Sequence, residues 1–283
     1  MTTHDPVLVT GCSSGIGRAV ALELLANGHT VYATARRPET LDELVAAGAK
    51  VLALDVTDEA SMAAAVRAVE AEHGQVGTLV NNAGYGEYGA VEEVSMDAVR
   101  RQFETNVFGL SRLIQLALPA MREAGRGRIV NIGSMGGRIT FPAGGYYHAS
   151  KYAVEAISDA LRVEVAQFGI DVVLVEPGMI RTGFGEVAAG TLDSTSTDGS
   201  SPYDALRSSA DKVMADGYRG PFSVPPGKVA QIVRRAVEAE RPRSRYLITP
   251  AARAMVALRR FGGDRAWDAF VRRQFSVTGR GRR

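Results

Sequence analysis

The chain of 283 residues has a single cysteine, Cys12, and only four histidines, at positions 4, 29, 73 and 148. One cysteine excludes an internal disulfide framework and suits a reducing compartment. The histidines are scattered, so no cluster has the spacing of metal ligands, and we expect no metal site. No run approaches 18 apolar residues, which argues against a membrane-spanning helix.

An excess of charge of either sign is also lacking, since 33 Lys and Arg residues face 31 Asp and Glu residues. This balance argues against nucleic acid as a partner. The exception is a short tail with Arg280, Arg282 and Arg283, which is typical of a solvated terminus. The polar residues before a first strand near Val7 do not resemble a secretory signal. We therefore expect a cytoplasmic protein without a membrane span.

What the chain does contain is an ordinary globular composition, 46% hydrophobic and 23% charged, in which short apolar runs alternate with amphipathic patterns. Strands are predicted at 7–9, 30–35, 51–54, 79–80, 128–132, 171–175 and 246–248. Helical patterns between strands indicate parallel β-α-β units with right-handed crossovers. The sequence therefore predicts an α/β fold. We expect one domain over residues 1–283, a Rossmann-like doubly wound parallel sheet of about seven strands with helices on both faces.

A glycine-rich loop follows the first strand directly and leads into a helix. Its sequence is Thr10-Gly11-Cys12-Ser13-Ser14-Gly15-Ile16-Gly17. Glycines let the backbone turn tightly near a ligand, and free N–H groups at the helix start favour a phosphate. We expect this loop to bind the pyrophosphate of a dinucleotide; a glycine-rich turn without a ligand is the alternative. The expected contacts are Gly11, Ser13, Ser14, Gly15, Ile16 and Gly17.

Two arginines, Arg36 and Arg37, follow the second strand, where dinucleotide-binding folds contact the adenosine ribose. No Asp or Glu stands there to bind a free 2′-hydroxyl, whereas the planar fork of Arg36 suits a 2′-phosphate. This pattern favours NADP over NAD. Arg37 either assists or faces water, and either arginine could instead pair with Glu39 or Asp42.

Polar residues stand at the ends of further strands, where ligands of parallel sheets bind. They include Asp55, Asn81 and Ser134. Because parallel strands end at one edge of the sheet, a single crevice could collect these side chains. Asp55 could instead cap the next helix, although Thr57 or Asp58 suits that role better.

The helix predicted after residue 144 carries Tyr147 and Lys151 one turn apart on the same face. An ammonium beside a phenol favours the phenolate and lowers a pKa that is normally near 10. The pair is a candidate general acid/base, although this spacing also arises by chance on solvated helix faces. Asn106 lies inside another helical pattern, at 95–124, and predicts a local break with a functional polar group.

Between residues 183 and 226 the periodicity fades, and a low-complexity run occupies residues 191–202. A loop of this length inside a compact domain is usually a lid or disordered. Because apolar residues are interspersed, we predict a mobile substrate lid at 183–226, with simple disorder as the alternative. A basic C-terminal helical extension is predicted at 251–283, where Trp267, Phe270 and Phe275 have the spacing of packing residues.

Several motifs together resemble, in order and spacing, the classical short-chain dehydrogenases/reductases over about residues 5–250. The matching positions are Thr10-Gly11-x-x-x-Gly15-Ile16-Gly17, Asn81-Asn82-Ala83-Gly84, Asn106, Ser134, Tyr147-x-x-x-Lys151 and Pro177-Gly178-x-x-x-Thr182. The runs YATARRPETL and GYGEYGAVEE, with the long apolar cover, look like the branch of hydroxysteroid and retinol dehydrogenases.

This resemblance implies an oxidoreductase that passes a hydride between the nicotinamide of NADP and a carbonyl or alcohol carbon of a lipophilic substrate. Tyr147 would be the general acid/base, and Lys151 would lower its pKa and hold the nicotinamide ribose. Ser134 would bond the substrate oxygen, and Asn106 would hold a water that links Lys151 to solvent.

The resemblance also implies a set of cofactor contacts beyond the glycine loop. They are Asp55 and Val56 at the adenine, Asn81 and Ala83 at the ribose side, and Ile180 and Thr182 at the carboxamide, with Gly84, Pro177 and Gly178 in the same motifs. Arg36 matches the position that NADP-specific members use. The basic residue that some of them place before the second glycine is replaced here by Ser14.

Family members usually pair through the helices near 95–124 and 147–168, which implies a homodimer or homotetramer. Two other functions stay open. A regulator could bind NADP without chemistry, but such proteins lack the tyrosine. An epimerase or dehydratase of the extended branch shares Tyr-x-x-x-Lys, but usually has a different glycine spacing and a larger C-terminal domain.

Overall fold

Seven parallel strands form the central sheet of the computed structural model, which describes residues 5–194 and 201–275. They are β1 (Val7–Val9), β2 (Val31–Ala35), β3 (Lys50–Ala53), β4 (Thr78–Asn81), β5 (Gly127–Ile132), β6 (Ile170–Glu176) and β7 (Arg245–Leu247). Their order is β3-β2-β1-β4-β5-β6-β7. The predicted Rossmann-like fold is confirmed, and each strand lies within one or two residues of its expected position.

Helices connect the strands and cover both faces of the sheet. They are α1 (Gly15–Ala26), α2 (Asp42–Ala46), α3 (Glu59–His73), α4 (Met96–Phe103), α5 (Leu110–Glu123), α6 (Gly145–Glu164), α7 (Phe184–Ser194), α8 (Asp204–Arg219), α9 (Pro226–Glu238) and α10 (Pro250–Gln274). A π-helical turn, Glu104–Gly109, joins α4 to α5. None of these helices is long and apolar enough to cross a membrane. The tail arginines 280, 282 and 283, and residues 195–200 of the low-complexity run, lie outside the described residues.

The core has two layers, one on each face of the sheet. Val7 and Val9 pack with α1 and α9, whereas Leu8 between them packs with α3, α5 and α6. Successive side chains of a strand point to opposite faces, so a strand that is covered on both sides must be apolar throughout. This is why β1 appears in the sequence as a short apolar run, although β5 also buries Arg128 and Asn131.

The strand order creates a crevice at one edge of the sheet. The chain runs outward from β1 through β2 to β3, and then returns to place β4 on the other side of β1. The loops that follow β1 and β4 therefore leave the sheet in opposite directions. Ligands of open α/β sheets bind at such a switch point, outside the carboxyl ends of the strands.

The segment expected to be a long loop, 183–226, instead contains α7 and α8. A backbone bridge between Ile180 and Val224 closes the base of this segment. An ion pair of 2.9 Å joins Arg207 on α8 to Glu93 in the body of the domain. The expectation of a non-periodic loop is wrong for the two helical stretches. Apolar residues recur at helical spacing in both, and they pack together: Phe184, Ala188 and Leu192 on α7, and Ala210, Val213, Met214 and Tyr218 on α8.

The C-terminal extension is α10, which bends at Gly263, where φ is +68°. Trp267 is buried, its indole N–H donates to the Thr140 carbonyl at 3.1 Å, and its ring lies against Phe141 and Phe270. The packing role expected for Trp267 is confirmed. The extension thereby closes one side of the crevice described above.

Candidate active site

A single cleft of about 1680 Å³ lies along the carboxyl ends of the strands. Its walls come from the loops after β1, β2, β3, β4, β5 and β6 and from helices α6, α8 and α10. Of the cofactor contacts predicted from the sequence, most line it: Gly11, Ser13, Ser14, Gly15, Ile16, Arg36, Asp55, Val56, Ala83, Gly84, Tyr147, Lys151, Pro177, Gly178, Ile180 and Thr182. Gly17, Arg37 and Asn81 do not.

The glycine loop has the geometry expected of a phosphate cradle. Gly11 and Gly15 have φ of +71° and +60°, in the left-handed region that favours glycine. Ser14 precedes α1 and makes no side-chain cap, so the first N–H groups of the helix are free toward the cleft. Gly17 has a different role, because a Cβ there would lie 2.3 Å from the Gly11 carbonyl oxygen. It permits close packing of the loop and does not line the cleft.

Asn82, which the sequence analysis did not single out as a contact, supports this loop. Its Nδ2 donates to the carbonyls of Thr10 and Gly11 at 2.9 and 3.1 Å. Asn81 is buried instead, and its Nδ2 donates to Asn131 at 2.9 Å, below the cleft. Strand alternation could have signalled this, since Asn81 lies on the same face of β4 as the core residue Leu79.

The two arginines after β2 diverge. Arg36 is exposed and lines the cleft, whereas Arg37 lies outside it. Within residues 5–194 and 201–275, neither arginine forms an ion pair with Glu39 or Asp42. The guanidinium of Arg36 is therefore available to a ligand at the far end of the cleft from Tyr147.

The acidic residues after β3 also have separate roles. Asp55 lines the cleft and accepts bonds from the backbone N–H and hydroxyl of Thr57, at 2.9 and 2.8 Å. Asp58 caps α3, because its carboxylate accepts bonds from the backbone N–H groups of Ala60 and Ser61. The residue that caps α3 is therefore Asp58 and not Asp55.

Replacing this cap tests the division of roles. Asp58→Ala is expected to lower the free energy of unfolding by about 1 kcal/mol, since it leaves two N–H groups of α3 without their acceptor. Asp55→Asn is the matched control, because an amide oxygen still accepts from Thr57. Urea denaturation of both variants measures the difference. Equal losses of stability would show that Asp55 is as important to the start of α3 as Asp58.

Ser134 and Tyr147 meet in the middle of the cleft, near the end of β5 and the start of α6. Their side chains are hydrogen-bonded, and the Ser134 oxygen also accepts from the backbone N–H of Gly136 at 3.0 Å. Burial raises the pKa of Tyr147, and the bond with Ser134 opposes this shift. The phenol is therefore protonated at neutral pH and positioned to donate. Tyr146 points elsewhere, with its hydroxyl toward the Val91 carbonyl at 3.4 Å.

Lys151 lines the same part of the cleft, and its ammonium donates to the Ile132 carbonyl at 3.0 Å. Burial lowers the pKa of Lys151 to about 8, and the neighbouring Glu155 opposes this shift. The expected lowering of the pKa of Tyr147 by Lys151 is not what this structure shows, because burial dominates at the phenol. The amine is instead held against the end of β5, one turn from the phenol along α6.

Asn106 lies in the π-helical turn, so the predicted break in the long helical pattern is present. Its amide bonds both backbone groups of Tyr85, accepting at 3.1 Å and donating at 2.8 Å, and it donates to Ser150 at 3.0 Å. It does not line the cleft, but its oxygen and the Lys151 amine both lie close to Gly84. Its water-holding role stays a prediction.

Aromatic side chains that the sequence analysis did not assign to the site surround Tyr147. The Tyr88 and Phe184 rings lie 5.3 and 5.6 Å from the Tyr147 ring, centre to centre. The His148 ring lies 5.6 Å from it, and burial lowers the pKa of His148 to about 4, so the imidazole is neutral. His148 follows Tyr147 on α6, whereas Tyr88 comes from the loop after β4 and Phe184 from α7, which no local motif connects to the tyrosine.

A family model described as short chain dehydrogenase matches residues 5–190. The chain belongs to this family. It is an oxidoreductase of the short-chain dehydrogenase type, and the family predicted from the motifs is confirmed.

Three relatives in the family have stated activities. A 3-ketodihydrosphingosine reductase of Bacteroides thetaiotaomicron is 44% identical over 179 residues, 63% of this chain, and the match spans slightly under two thirds (65%) of that protein. An NADPH-dependent 3-dehydrocapnine reductase of Ornithobacterium rhinotracheale is 35% identical over 86% of this chain and 87% of its own. Human 17-beta-hydroxysteroid dehydrogenase type 1 is 34% identical over 86% of this chain and 77% of its own. The expected likeness to hydroxysteroid dehydrogenases is confirmed.

Solved structures in the family agree with the fold. A short-chain dehydrogenase from Streptomyces avermitilis is 38% identical, with a TM-score of 0.77 over 90% of this chain and 92% of its own. A short-chain dehydrogenase/reductase from Burkholderia phymatum, in complex with NAD, is 28% identical, with a TM-score of 0.78 over 92% and 95%. Among these relatives, one is therefore NADPH-dependent and another is in complex with NAD.

Proposed function

We propose that this protein uses NADP to interconvert a ketone and an alcohol on a lipophilic substrate, with Tyr147 as the general acid/base. One observation carries the proposal. The hydrogen-bonded pair of Ser134 and Tyr147 opens into the same cleft as the glycine loop and Arg36. A proton donor and a cradle for a dinucleotide therefore share one space, which a hydride transfer between two bound molecules requires.

The residues present fit a bound NADP. The cradle of Gly11 and Gly15 with the free start of α1 suits a pyrophosphate, and the unpaired guanidinium of Arg36 suits a 2′-phosphate. Thr182 lies next to Gly15, which brings the loop after β6 to the same ligand. When bound, the nicotinamide supplies the hydride; the protein positions it and supplies the proton.

The side chains would divide the work on the substrate oxygen as follows. Ser134 donates a hydrogen bond to that oxygen and holds it beside the Tyr147 hydroxyl. Tyr147 gives its proton to the oxygen during reduction, and takes it back during oxidation. The raised pKa of Tyr147 keeps it in the acid form that reduction needs. Lys151 is the nearby cation that would stabilise the phenolate left behind, and Asn106 would hold the water that returns a proton.

A lipophilic substrate is supported by the walls around Tyr147 and by the relatives. The substrate half of the cleft is lined by apolar and aromatic side chains: Tyr88, Phe141, Phe184, Val187, Val213, Met214, Phe222, Phe270 and Phe275. The relatives named above act on a keto-sphingoid base, a dehydrocapnine and a hydroxysteroid. We assign the described parts of the predicted lid, residues 183–194 and 201–226, as the cover over this half, and α10 as its side wall.

Reduction of ketones tests the proposal directly. When purified protein and NADPH are given a long-chain 3-ketone or a 17-ketosteroid, the absorbance of NADPH should fall as the cofactor is oxidised. Turnover should be faster than with short aliphatic ketones, because burial of each CH₂ contributes about 0.8 kcal/mol to binding. A short ketone that matches or exceeds the long ones would remove the lipophilic assignment. The absence of turnover with every carbonyl, despite measured NADPH binding, would favour the regulator.

We also propose a homodimer or homotetramer in the cytoplasm. Exposed apolar side chains on the helices expected to pair support the oligomer: Met96 on α4, Phe108 on the π-helical turn, and Tyr152 and Val163 on α6. The lone cysteine, buried in the glycine loop, supports a reducing compartment. Light scattering of the purified protein measures the assembly.

A further inference from the structure

Two buried carboxyl groups lie directly behind the candidate active site. Glu155 is one turn beyond Lys151 on α6, and Glu176 is the last residue of β6, next to the cleft residue Pro177. Glu155 is 8% exposed and Glu176 is 0% exposed. Both carboxyl groups approach the same guanidinium, because Arg245 lies 3.1 Å from Glu155 and 3.3 Å from Glu176. The pair therefore occupies the space between α6 and the sheet, below the catalytic residues of the proposed reaction.

Two neighbouring buried carboxyl groups need either hydrogen-bond donors for their oxygens or a proton. In the described part of the chain, one oxygen of Glu155 and both oxygens of Glu176 have no hydrogen-bond donor from another residue. Two ionised carboxylates in contact cannot both stay charged in a buried site. Burial and the neighbouring Glu176 raise the pKa of Glu155 well above its usual range. One proton shared by the pair satisfies the contact.

Charged groups face this pair from every element packed around it. On α6 the charged groups are Lys151 and Asp159, and Tyr152 adds a titratable phenol. The other elements contribute arginines: Arg138 after β5, Arg245 on β7, and Arg259 and Arg260 on α10. Arg245 bonds Glu155 at 3.1 Å and Asp159 at 2.6 Å. Arg245 is 3.3 Å from Glu176, and Arg138 is 3.7 Å from it. The arginines partly neutralise the pair but do not separate its two carboxyl groups.

A second cavity of about 540 Å³ borders α6 further along the helix than the active-site cleft. Its walls include Glu155 and the partly exposed Tyr152 and Asp159. A carboxyl group that lines such a cavity can exchange its proton with water there. Glu155 therefore touches solvent on one side of α6 and lies one turn from Lys151, which lines the cleft.

We propose that Glu155 and Glu176 share one proton at neutral pH, and that Glu155 is a positioning residue that keeps Lys151 charged when this proton is lost in alkaline solution. In the proposed reaction Lys151 acts only as a cation, so the range of pH over which it keeps its proton limits turnover. The effect of Glu155 on turnover rests on the proposed function, in which Lys151 takes part in catalysis. The proton pair itself does not depend on turnover.

The sign of the effect follows from the charges. Lys151 has a pKa of about 8, and the carboxylate form of Glu155 raises it. As the pH rises, Glu155 loses its proton to solvent and becomes negative, which favours the ammonium of Lys151. In Glu155→Gln this negative charge cannot form, so Lys151 loses its proton at lower pH. In Glu176→Gln the neighbouring charge is gone and Glu155 ionises sooner, so Lys151 keeps its proton at least as well as in the wild type.

The titration of Lys151 can be measured without a substrate. The chain has only four lysines, Lys50, Lys151, Lys212 and Lys228, so ε-¹³C-lysine labelling gives four signals, and Lys151→Arg identifies one of them. We expect Glu155→Gln to lower the pKa of Lys151 by about one unit. We expect Glu176→Gln to leave it unchanged or higher. With an active substrate, the alkaline limb of kcat should shift in the same directions.

Asp159→Asn is the matched control, because Asp159 bonds the same arginine one turn further along α6 but is not part of the proton pair. It should move the pKa of Lys151 by less than a few tenths of a unit. Equal shifts in Glu155→Gln, Glu176→Gln and Asp159→Asn would overturn the proposal and indicate a loss of packing. An unshifted Lys151 in Glu155→Gln would overturn it as well.

A measurement on the wild-type protein guards against variants that fold poorly. At pH 7 the infrared spectrum should show the carbonyl band of a protonated carboxylic acid, which disappears as the pH is raised. The absence of this band at pH 7 would exclude the shared proton. Because neither this spectrum nor the lysine titration uses a substrate, failure of the ketone assay and failure of this inference remain distinguishable.

Discussion

Tyr147→Phe is expected to lower kcat for ketone reduction by about 10²–10⁴-fold while leaving the Kd for NADPH within about twofold. The change removes one oxygen atom from a buried ring. Its contacts with Tyr88 and Phe184 are made through ring atoms and survive. What disappears is the proton that would pass to the substrate oxygen, together with the bond to Ser134.

The adjacent tyrosine is a matched control for this experiment. Tyr146→Phe removes the same atom one residue away, from a ring that packs near Val94 and Val99, outside the cleft. It should leave kcat within about twofold of the wild type. Stopped-flow hydride transfer and fluorescence titration of NADPH separate chemistry from binding. Unchanged turnover in Tyr147→Phe would exclude the proposed general acid, whichever substrate is used.

The pH dependence of reduction and of oxidation gives a further test of the same role of Tyr147. The pKa of Tyr147 is raised, so the phenol should stay protonated throughout the neutral range and reduction should not require acid. Oxidation of the corresponding alcohol needs the phenolate, and its rate should therefore rise toward alkaline pH. Rates of both directions measured from pH 6 to about 7.5, below the range in which Lys151 loses its proton, should diverge; parallel profiles would indicate that another group carries the proton.

The sheet could be predicted because its physical signal is local. Strands buried on both faces must be apolar throughout, and the helices between them must be amphipathic, so both patterns appear in short windows of sequence. The glycine loop was equally clear, since left-handed φ values at Gly11 and Gly15 and the close approach at Gly17 leave few other residues possible. Backbone constraints of this kind are visible in residue identity alone.

The parts that were missed depend on contacts between distant segments. Helices α7 and α8 contain glycine, serine and aspartate, which weaken the helical signal, and contacts such as Arg207 with Glu93 and Thr191 with the backbone of Tyr88 join them to the body of the domain. Residues more than 100 positions apart form each of these contacts. The apolar spacing within α8, at Ala210, Val213, Met214 and Tyr218, could have indicated a helix, but no local pattern indicates where the two helices pack.

The contacts and the pKa of Lys151 could not be predicted from the sequence either. Its spacing from Tyr147 correctly placed both residues on α6 and in one cleft, but the amine is held by the Ile132 carbonyl and faces a buried acid on the same helix. Burial acts on the pKa of both side chains and opposes the effect expected from two residues on a solvated helix face. The acid pair behind it was not predicted, because Glu155 and Glu176 come together only when α6 packs on β6.

Arg36→Ala is expected to weaken NADPH binding by about 10- to 100-fold and NADH binding by less than about threefold. A charge-assisted hydrogen bond is typically worth about 1.5–3 kcal/mol, and 1.4 kcal/mol corresponds to tenfold in Kd. NADH lacks the 2′-phosphate and so has nothing to lose at this position. Isothermal titration calorimetry with both cofactors measures the two effects on the same protein preparation.

Arg37→Ala is the matched control, because Arg37 is equally exposed and carries the same charge but lies outside the cleft. If NADPH is attracted by the long-range field of two adjacent arginines, both variants should bind it similarly weakly, whereas a direct contact would make only Arg36→Ala bind it weakly.

The salt dependence of NADPH binding separates these cases further. Interactions between exposed charges are screened over about 8 Å at physiological ionic strength, so a field effect should fade in 1 M salt. A direct contact should retain part of the difference between NADPH and NADH under those conditions, and equal losses for the two cofactors would remove Arg36 as the determinant of cofactor choice.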